Sequence, residues 1–450
     1  MKITHVSNSF ISVKINGSVL ACDPWVGTTN DNGWLAYPFY KNGKGILNEI
    51  KPNFIYISHL HGDHFDPGTL DKLKNKKTII IIKHFPNQRL KNKIKKIGFK
   101  NIIECKAWKK YKLNEDISIC IVPQMSSNSS QIEEQIDYDL DTSILIQSNI
   151  TKKVFFNNVD NPLSTNDLKT IKKKCKKVLN SNIDIVCFPV GAAGEYPHCF
   201  VNVPKKKEKD KIINHSLKDL KAKLNIIKPK NFFPAGGRYI IYGKFSILNK
   251  DVAQPTFDKI KDYLKNESYD IYNIEGSSKV FLDNKTFGRS KINKLNKFSY
   301  DEQKIINFFK NKKYFYSNDF KNIPIANIDE IYNKSLKNYL NILKKLPVRT
   351  SWKVDFLIYK NLTLKSNGLI DKKKSVFLKK YILKNNNHKV NSSNMKNSKL
   401  KLHLDYNLFY GLLKRKYIWN TAISGSIILF ERKPNIFDPN FTFSINFLGV

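Results

Sequence analysis

Short apolar runs alternate with lysine-rich amphipathic segments along the first two thirds of the chain. Runs rich in β-branched residues predict strands, whereas apolar residues that recur every three or four positions predict helices. A hairpin is predicted around Asn16-Gly17, because both turn positions must accept a positive φ. Further predicted strands are 54–58, 78–83, 117–122, 142–147, 153–156, 183–190 and 231–234, and predicted helices are 67–74, 87–97, 168–179 and 217–227. This alternation indicates an α/β fold.

The pattern changes in the last third of the chain. It predicts a helix over 328–346, strands over 353–358 and 375–381, and two further apolar stretches over 402–413 and 419–430. We therefore predict a first domain over 1–295 and a smaller α+β domain over 296–450. The order of elements in the second domain is similar to that of sterol-carrier-like domains. Burial of an apolar tail and packing against the first domain are both open, and packing is the simpler role.

The densest chemistry lies in the loop that follows the predicted strand 54–58. His59, His61, Asp63 and His64 fall within six residues, although the chain has only nine histidines. Imidazole and carboxylate groups are ligands of divalent transition metals. In α/β proteins, ligands bind at the carboxyl ends of strands. The alternative is a loop whose polar residues only cap the next helix, a role that Asp66 suits because Pro67 follows it.

The net charge of +40 changes this picture little. Only six of the 78 basic residues are arginine, and the lysines are spread along the whole chain. Specific nucleic-acid recognition relies heavily on arginine, so we expect no specific nucleic-acid partner. The charge favours a small anionic substrate, such as a sugar nucleotide or a sugar phosphate.

The six cysteines and the apolar runs bear on the compartment. The cysteines show no C-x-x-C spacing, which is typical of reduced thiols, and we expect a cytoplasmic protein. No apolar run is long enough for a transmembrane helix. We expect no signal peptide, because the residues before Cys22 include charged and polar side chains.

Several segments together carry a family resemblance. The hairpin, Asp23, the Ser-His-x-His-x-Asp-His run and the segments 139–142, 158–160, 191–197 and 234–236 resemble the metallo-β-lactamase fold. That fold is an αββα sandwich with a metal site along one edge. The chain is most similar to the metallo-β-lactamase-like part of CMP-N-acetylneuraminate hydroxylase, most clearly in these segments.

The resemblance implies a ligand set. His59, His61, Asp63 and His64 match the metal motif, and Asp160 matches a later bridging carboxylate. Asp63 has a second role open to it, as the general base that takes a proton from a metal-bound water. Asp23 either caps its loop or orients a metal ligand through hydrogen bonds. We expect one or two divalent ions, either iron or zinc, with manganese as a further option.

The sequence also departs from the family pattern. Asp137 stands where the fold usually has another histidine, and it is either an oxygen ligand or part of a loop. No histidine follows 234–236, where Arg238 is expected to bind an anionic substrate or to form a structural salt bridge. Glu195 and His198 lie in a segment that resembles the substrate side of the family. For His198, a loop histidine bonded to the backbone is the simpler alternative.

The hydroxylase family carries a Rieske domain, whose cluster needs two cysteines and two histidines on paired loops. No such arrangement is found in this sequence, so we expect no iron–sulfur cluster in this chain. An oxygenase would need a separate Rieske or ferredoxin-type electron donor. We therefore predict a metal-dependent enzyme acting on a sugar nucleotide or acidic sugar in surface-glycan metabolism. A hydrolase of this fold, such as a sugar-phosphate lactonase or a phosphodiesterase, is the main alternative; a nuclease and a binding module with a decayed site are weaker ones.

Overall fold

Two β-sheets packed face to face organise the first two thirds of the chain. The computed structural model describes residues 1–40, 43–125, 141–280, 293–294, 302–346, 350, 352–383 and 398–450. In spatial order, the first sheet contains Asn293–Lys294, Ser277–Val280, Lys2–Ser7, Phe10–Ile15, Ser18–Cys22, Phe54–Tyr56, Ile79–Lys83 and Ile102–Cys105. The predicted hairpin is confirmed, with Asn16 in the left-handed region at φ 48°.

The second sheet has seven strands. In spatial order they are Asp270–Ile271, Asn231–Pro234, Ile183–Phe188, Val154–Asn157, Ser143–Ser148, Ile117–Val122 and Lys110–Lys112. Side chains alternate along these strands, so that Ile119 and Ile121 pack between the sheets whereas Cys120 and Val122 pack outward. This alternation gives one core between the sheets and a second core on the outer face.

Helices cover both outer faces. Gly43–Ile50, Pro67–Leu73 and Arg89–Ile97 pack on the first sheet, and Thr165–Leu179, Lys205–Ile227 and Phe257–Tyr263 pack on the second. The predicted αββα sandwich is thereby confirmed. The helix Lys205–Ile227 begins twelve residues before the predicted start. The sequence pattern did not predict this part of the helix, because among its first twelve residues only Ile213 is buried. Its lysine-rich first half therefore carries little apolar periodicity.

Among the described residues of the last third, most belong to a four-stranded sheet and five helices. The sheet contains, in spatial order, Val376–Leu383, Lys353–Asn361, Lys399–Asp405 and Leu429–Lys433. The helices are Glu302–Phe309, Ile325–Lys345, Tyr406–Leu413, Trp419–Ser424 and Pro439–Ile445. Two 3₁₀ helices, Gly243–Asp251 and Phe315–Asn318, and a small sheet of Thr28–Thr29, Trp34–Ala36 and Tyr239–Ile241 lie between the parts.

The last third packs closely against the sandwich. Phe200 and Phe430 stack with ring centroids 5.0 Å apart, and their backbones form an isolated bridge. A Cβ on Gly33 would overlap the carbonyl oxygen of Gly425, so the two backbones are in direct contact there. The predicted boundary near 295 lies outside the described residues, and the division into two domains stays a prediction.

Across the part of the chain that the structure describes, no helix combines the length and the apolar character that spanning a membrane requires.

Candidate metal centre

The predicted metal loop lies at the edge where the two sheets meet. Strands Ser18–Cys22 and Phe54–Tyr56 of the first sheet run parallel, so their carboxyl ends share this edge. Asp66 caps the next helix by accepting hydrogen bonds from the amides of Gly68 and Thr69, as expected. This cap and the strand fix both ends of the loop that carries the histidines.

Two clusters of ligand atoms form around His59. The first contains His59, His61 and Asp141, and the second contains His59, His64 and Asp160, with the ligand atoms of each cluster within 4.8 Å of one another. In the first cluster, His59 Nε2 lies 2.8 Å from His61 Nδ1 and 3.1 Å from Asp141 Oδ1. In the second, His64 Nε2 lies 3.2 Å from Asp160 Oδ2.

These separations fit a shared cation. Ligands that bind a transition metal at about 2.0–2.2 Å lie roughly 2.9–3.5 Å from one another around the ion. Asp63 adds a further carboxylate oxygen, Oδ2, which lies 3.4 Å from His64 Nε2. Each cluster combines two imidazoles with one carboxylate, a donor set that zinc and non-haem iron both accept.

Hydrogen bonds behind the cluster set the histidine tautomers. Ser58 Oγ has one proton and donates it to Asp23 Oδ2 at 2.7 Å, so His59 Nδ1, 2.9 Å from the same oxygen, must be the donor in its own contact. His64 Nδ1 faces Asp23 Oδ2 at 3.0 Å and donates to it. Both Nδ1 atoms are therefore donors within the protein, and in each imidazole Nε2 is the nitrogen left to bind a cation.

Burial and the nearby charges shift several pKa values in this network. Burial, together with His64 and His61, lowers the pKa of His59 well below its ordinary value. Burial also lowers the pKa of His64, but Asp63 and Asp160 outweigh it and raise that pKa well above the ordinary value. The carboxylates that raise the pKa of His64 thus favour a positive charge at the position where a cation would bind.

A second chain of hydrogen bonds joins the two sheets behind Asp141. Thr142 Oγ1 donates to the Ser58 carbonyl at 2.9 Å, so the Tyr56 hydroxyl, 2.6 Å from Thr142 Oγ1, donates to it. All three side chains are buried. Thr142 therefore ties the strand that follows Asp141 to the loop that carries His59.

A cavity of about 600 Å³ opens beside the clusters. Its wall contains His61, Asp63, Asp141 and Asp160, together with Lys93. The last third of the chain forms another part of the wall, through Ile418, Asn420, Thr421 and Ser424. The site thus lies in a pocket that the sandwich and the C-terminal elements form together, a common position for small-molecule sites.

Of the other predicted site residues, Glu195 lies at the cavity and Arg238 does not. Glu195 lines the cavity, and burial raises the pKa of its carboxyl group. Arg238 is not part of the cavity wall; its guanidinium forms ion pairs with Glu275 and Glu302, each at 3.0 Å. This is the salt-bridge alternative and not the expected contact with substrate. Asp137 lies outside the described residues.

His198 is fully buried and also lies outside the cavity wall. Its Nε2 is 2.9 Å from Ser426 Oγ, which also accepts a hydrogen bond from Trp34 Nε1 at 3.2 Å. His198 therefore joins the sandwich to the last third of the chain. The simpler alternative of a backbone-bonded loop histidine also differs from this geometry, because its partner is a side chain.

Sequence reasoning missed Asp141 as a candidate ligand and Lys93 and residues 418–424 as cavity residues. Asp141 had a local signal, since it stands in the Asp-Thr pair directly before the strand Ser143–Ser148. That strand is antiparallel to Val154–Asn157, which places its beginning beside Asp160. For residues 418–424 no local signal exists, because they reach the site only through tertiary packing.

Comparison with known proteins gives partial matches, and no family model matches the chain. A Mycobacterium tuberculosis protein with the provisional name Rieske 2Fe-2S iron–sulfur protein is 31% identical over 128 residues, 27% of this chain and 24% of the relative. Cytidine monophosphate-N-acetylneuraminic acid hydroxylase of Asterias rubens is 31% identical over 78 residues, 17% of this chain and 12% of the relative. The chain thus matches at most about a quarter of the length of either relative.

A solved metallo-hydrolase of the archaeon Ignicoccus hospitalis is similar over 62% of this chain and 99% of its own, with a TM-score of 0.44 and 15% sequence identity. The expected metallo-β-lactamase fold is confirmed by the two-sheet sandwich with outer helices and a His-x-His-x-Asp-His loop at its edge. The donor set in that loop and in the facing strands fits a divalent metal.

Proposed function

We propose that the chain is a metal-dependent enzyme that hydrolyses a small anionic molecule. The observation that carries this proposal is the convergence of three imidazoles and two carboxylates beside an open cavity, with His61, Asp141 and Asp160 in the cavity wall. Placing so many acceptor atoms side by side in a largely buried position is costly unless a cation lies between them. We also propose a reducing cytoplasmic setting, which suits the six buried free thiols.

The described residues have distinct roles in this proposal. His59, His61, His64, Asp141 and Asp160 would hold the metal. A divalent metal in such a site lowers the pKa of a bound water towards neutrality and polarises the substrate. Asp23 and Ser58 keep both Nε2 atoms free for ligation, and Thr142 holds Asp141 in place.

Asp63 is the candidate proton acceptor. Burial alone would raise the pKa of Asp63, but His64 and His61 outweigh burial and lower that pKa below its ordinary value. The carboxylate is therefore ionised at neutral pH and lines the cavity. We assign it to take the proton of the attacking water while the water oxygen bonds to the carbonyl or phosphoryl centre. The bond to the leaving oxygen then breaks, and Asp63 gives the proton it has accepted to the leaving group.

Lys93 is the candidate anion-binding residue of the cavity. Burial lowers its pKa, and the charges of Arg89 and Lys96 lower it further. An anionic substrate would relieve this repulsion, which gives the cavity a preference for negative charge.

The test is turnover of a panel of lactones, phosphodiesters, sugar phosphates and CMP-sialic acids by zinc-, manganese- and iron-loaded protein. Asp63→Asn should retain the metal and lose about 100-fold or more in kcat, whereas Lys93→Gln should chiefly raise KM for anionic substrates. Lys72→Gln, on a neighbouring helix, is the matched control. Full loading with metal and no turnover of any panel member would overturn the proposal.

Hydroxylation is a second candidate, favoured by the two-histidine, one-carboxylate donor sets and by the match to a hydroxylase. The substrate would be a sugar nucleotide or an acidic sugar of surface-glycan metabolism. One oxygen atom of O₂ would enter a C–H bond and the other would leave as water, with two electrons from a separate Rieske or ferredoxin-type protein and two protons from solvent. Transfer of ¹⁸O from ¹⁸O₂ to product, with iron-loaded protein and a reduced ferredoxin, would decide for this reaction. Transfer of ¹⁸O from labelled water would decide for hydrolysis.

A further inference from the structure

A second cavity, of about 440 Å³, lies next to the metal centre. Its wall is mainly apolar and aromatic and includes Tyr417, Ile418, Trp419, Phe437 and Phe447. Its volume is within the range of small-molecule sites. Phe437 is 63% exposed and Ile418 45% exposed, which is unusual for such large apolar side chains.

Several polar groups around this cavity are already bonded within the protein. Trp419 Nε1 donates to the Leu448 carbonyl at 2.7 Å, and the Tyr417 hydroxyl donates to Asp319. Asn446 Nδ2 donates to the Thr442 carbonyl at 2.9 Å, and its Oδ1 accepts from the Asn420 amide at 3.0 Å. The wall therefore presents mainly carbon to a ligand, which favours a hydrocarbon chain over a polar ring that needs hydrogen-bond partners.

Positive charge borders this apolar surface. Arg89 and Arg415 lie in the wall, and among the described residues neither has a carboxylate within salt-bridge distance. Arg415 donates only to the backbone carbonyls of Phe447 and Gly449. A ligand with an anionic group would supply the missing negative charge.

The two cavities are adjacent. Ile418 and Asn420 line both of them. Arg89 lines the apolar cavity and Lys93 lines the metal cavity, four residues apart on the helix Arg89–Ile97 and so on the same helix face. Cationic groups therefore lie along the path from one cavity to the other.

We propose that the apolar cavity binds the hydrocarbon chain of an anionic amphiphile, with the anionic group between Arg89 and Lys93 beside the metal centre. The substrate class that follows is a molecule with a negative head and an acyl-type chain. The assignment of this molecule as substrate rests on the proposed hydrolytic function, whereas its binding does not.

Binding is tested by calorimetry on metal-depleted full-length protein, with decanoate below its micelle concentration, butyrate and decyltrimethylammonium. Each buried methylene contributes about four-fold in affinity, so butyrate should bind at least about 100-fold more weakly than decanoate. The cationic amphiphile should bind about ten-fold or more weakly than decanoate. Equal affinities for decanoate and butyrate would overturn the proposal.

Two variants locate the binding site. Phe437→Ser and Arg89→Gln should each weaken decanoate binding by about ten-fold. Phe377→Ser is the control, because Phe377 is also exposed but lies on the strand Val376–Leu383, outside the cavity. It should bind decanoate with an affinity within about two-fold of the wild type. Unchanged affinity in both cavity variants would overturn the assignment. Sedimentation with anionic vesicles without saturable decanoate binding would also overturn it, and would indicate a membrane-contacting surface.

A turnover experiment separates this proposal from the proposed function. With metal-loaded protein, kcat/KM for thioesters or esters of one anionic head should rise with chain length in the wild type and not in Phe437→Ser. Decanoate binding without any turnover would contradict hydrolysis and support the chain-binding cavity. Turnover that is independent of chain length would support hydrolysis and overturn the cavity assignment.

Discussion

Asp23→Asn tests the link between the hydrogen-bond network and the metal. Asp23 is fully buried and accepts three hydrogen bonds, from the Ser58 amide and hydroxyl at 2.7 Å each and from His64 Nδ1 at 3.0 Å. An asparagine of nearly the same volume can accept from the amide with its oxygen. Its NH₂ group then faces the hydroxyl and the imidazole, so His64 Nδ1 must become an acceptor.

The consequence falls on the other ring nitrogen of His64. With the proton moved to Nε2, His64 has no lone pair towards Asp160 and cannot ligate. Changes to groups that orient a metal ligand typically weaken metal binding by about 10–100-fold, or roughly 1.4–2.7 kcal/mol. The mismatched hydrogen bonds should also lower the free energy of unfolding by about 1–3 kcal/mol.

The assay is a competition titration of zinc against a chromophoric chelator at neutral pH, with unfolding followed separately by urea denaturation. Asp116→Asn is the matched control, because Asp116 accepts two hydrogen bonds from the hairpin, from Asn16 and Ser18, away from the metal. We expect the control to bind zinc like the wild type. An Asp23→Asn protein that is folded and binds zinc within about three-fold of the wild type would refute the tautomer argument.

Three further predictions concern Asp141, Thr142 and His198. Asp141→Asn should lower metal affinity by about ten-fold or more in the same titration, since it removes an anionic oxygen 3.1 Å from His59 Nε2; an unchanged affinity would exclude Asp141 as a ligand. Thr142→Val should lower the free energy of unfolding in urea by about 1–3 kcal/mol, because it leaves the buried Tyr56 hydroxyl and Ser58 carbonyl without their partner; a change within about 0.5 kcal/mol would contradict the proposed tie between the sheets. Burial, with Lys205 and Lys209, lowers the pKa of His198 to about 3. Below about pH 6.5 this histidine is protonated in the unfolded chain but stays neutral in the folded chain. Its contribution to the free energy of unfolding is therefore complete above that pH and is lost as the pH falls towards 3. Between about pH 6 and 4 the wild type should lose about 1.4 kcal/mol more per pH unit than His198→Gln, and parallel profiles would contradict this.

Local sequence patterns were enough to predict most of the sandwich. The Asn16-Gly17 turn and the Asp66 cap depend on backbone requirements that one or two residues satisfy, so both were predictable. The strand Ile117–Val122 was predicted to the residue because five of its six residues are apolar. The start of the helix Lys205–Ile227 was not predicted, because its first half buries only Ile213 and therefore shows no apolar face in the sequence.

The candidate site also has a part that local sequence predicts and a part that depends on tertiary contacts. The histidine loop is contiguous, and its spacing alone indicates a metal. Asp141 shows the limit, because it reaches His59 only through the pairing of the strands, which apolar periodicity does not report; Asp137 lies outside the described residues and stays a prediction. For Arg238 the sequence left two alternatives open, a contact with substrate and a salt bridge. The structure shows the salt bridge, with Glu275 and Glu302, which lie 37 and 64 residues further along the chain. The contribution of 418–424 to the cavity depends on contacts across several hundred residues, which no local pattern encodes.

The metal content of purified protein tests the central claim most directly. His59 belongs to both clusters, whereas His61 and His64 belong to one each. After dialysis against zinc or ferrous iron, the wild type should therefore retain metal, His59→Ala should retain none, and His61→Ala and His64→Ala should each retain a weakened site. A folded wild type that retains no metal, or a His59→Ala variant that binds as much as the wild type, would contradict the account.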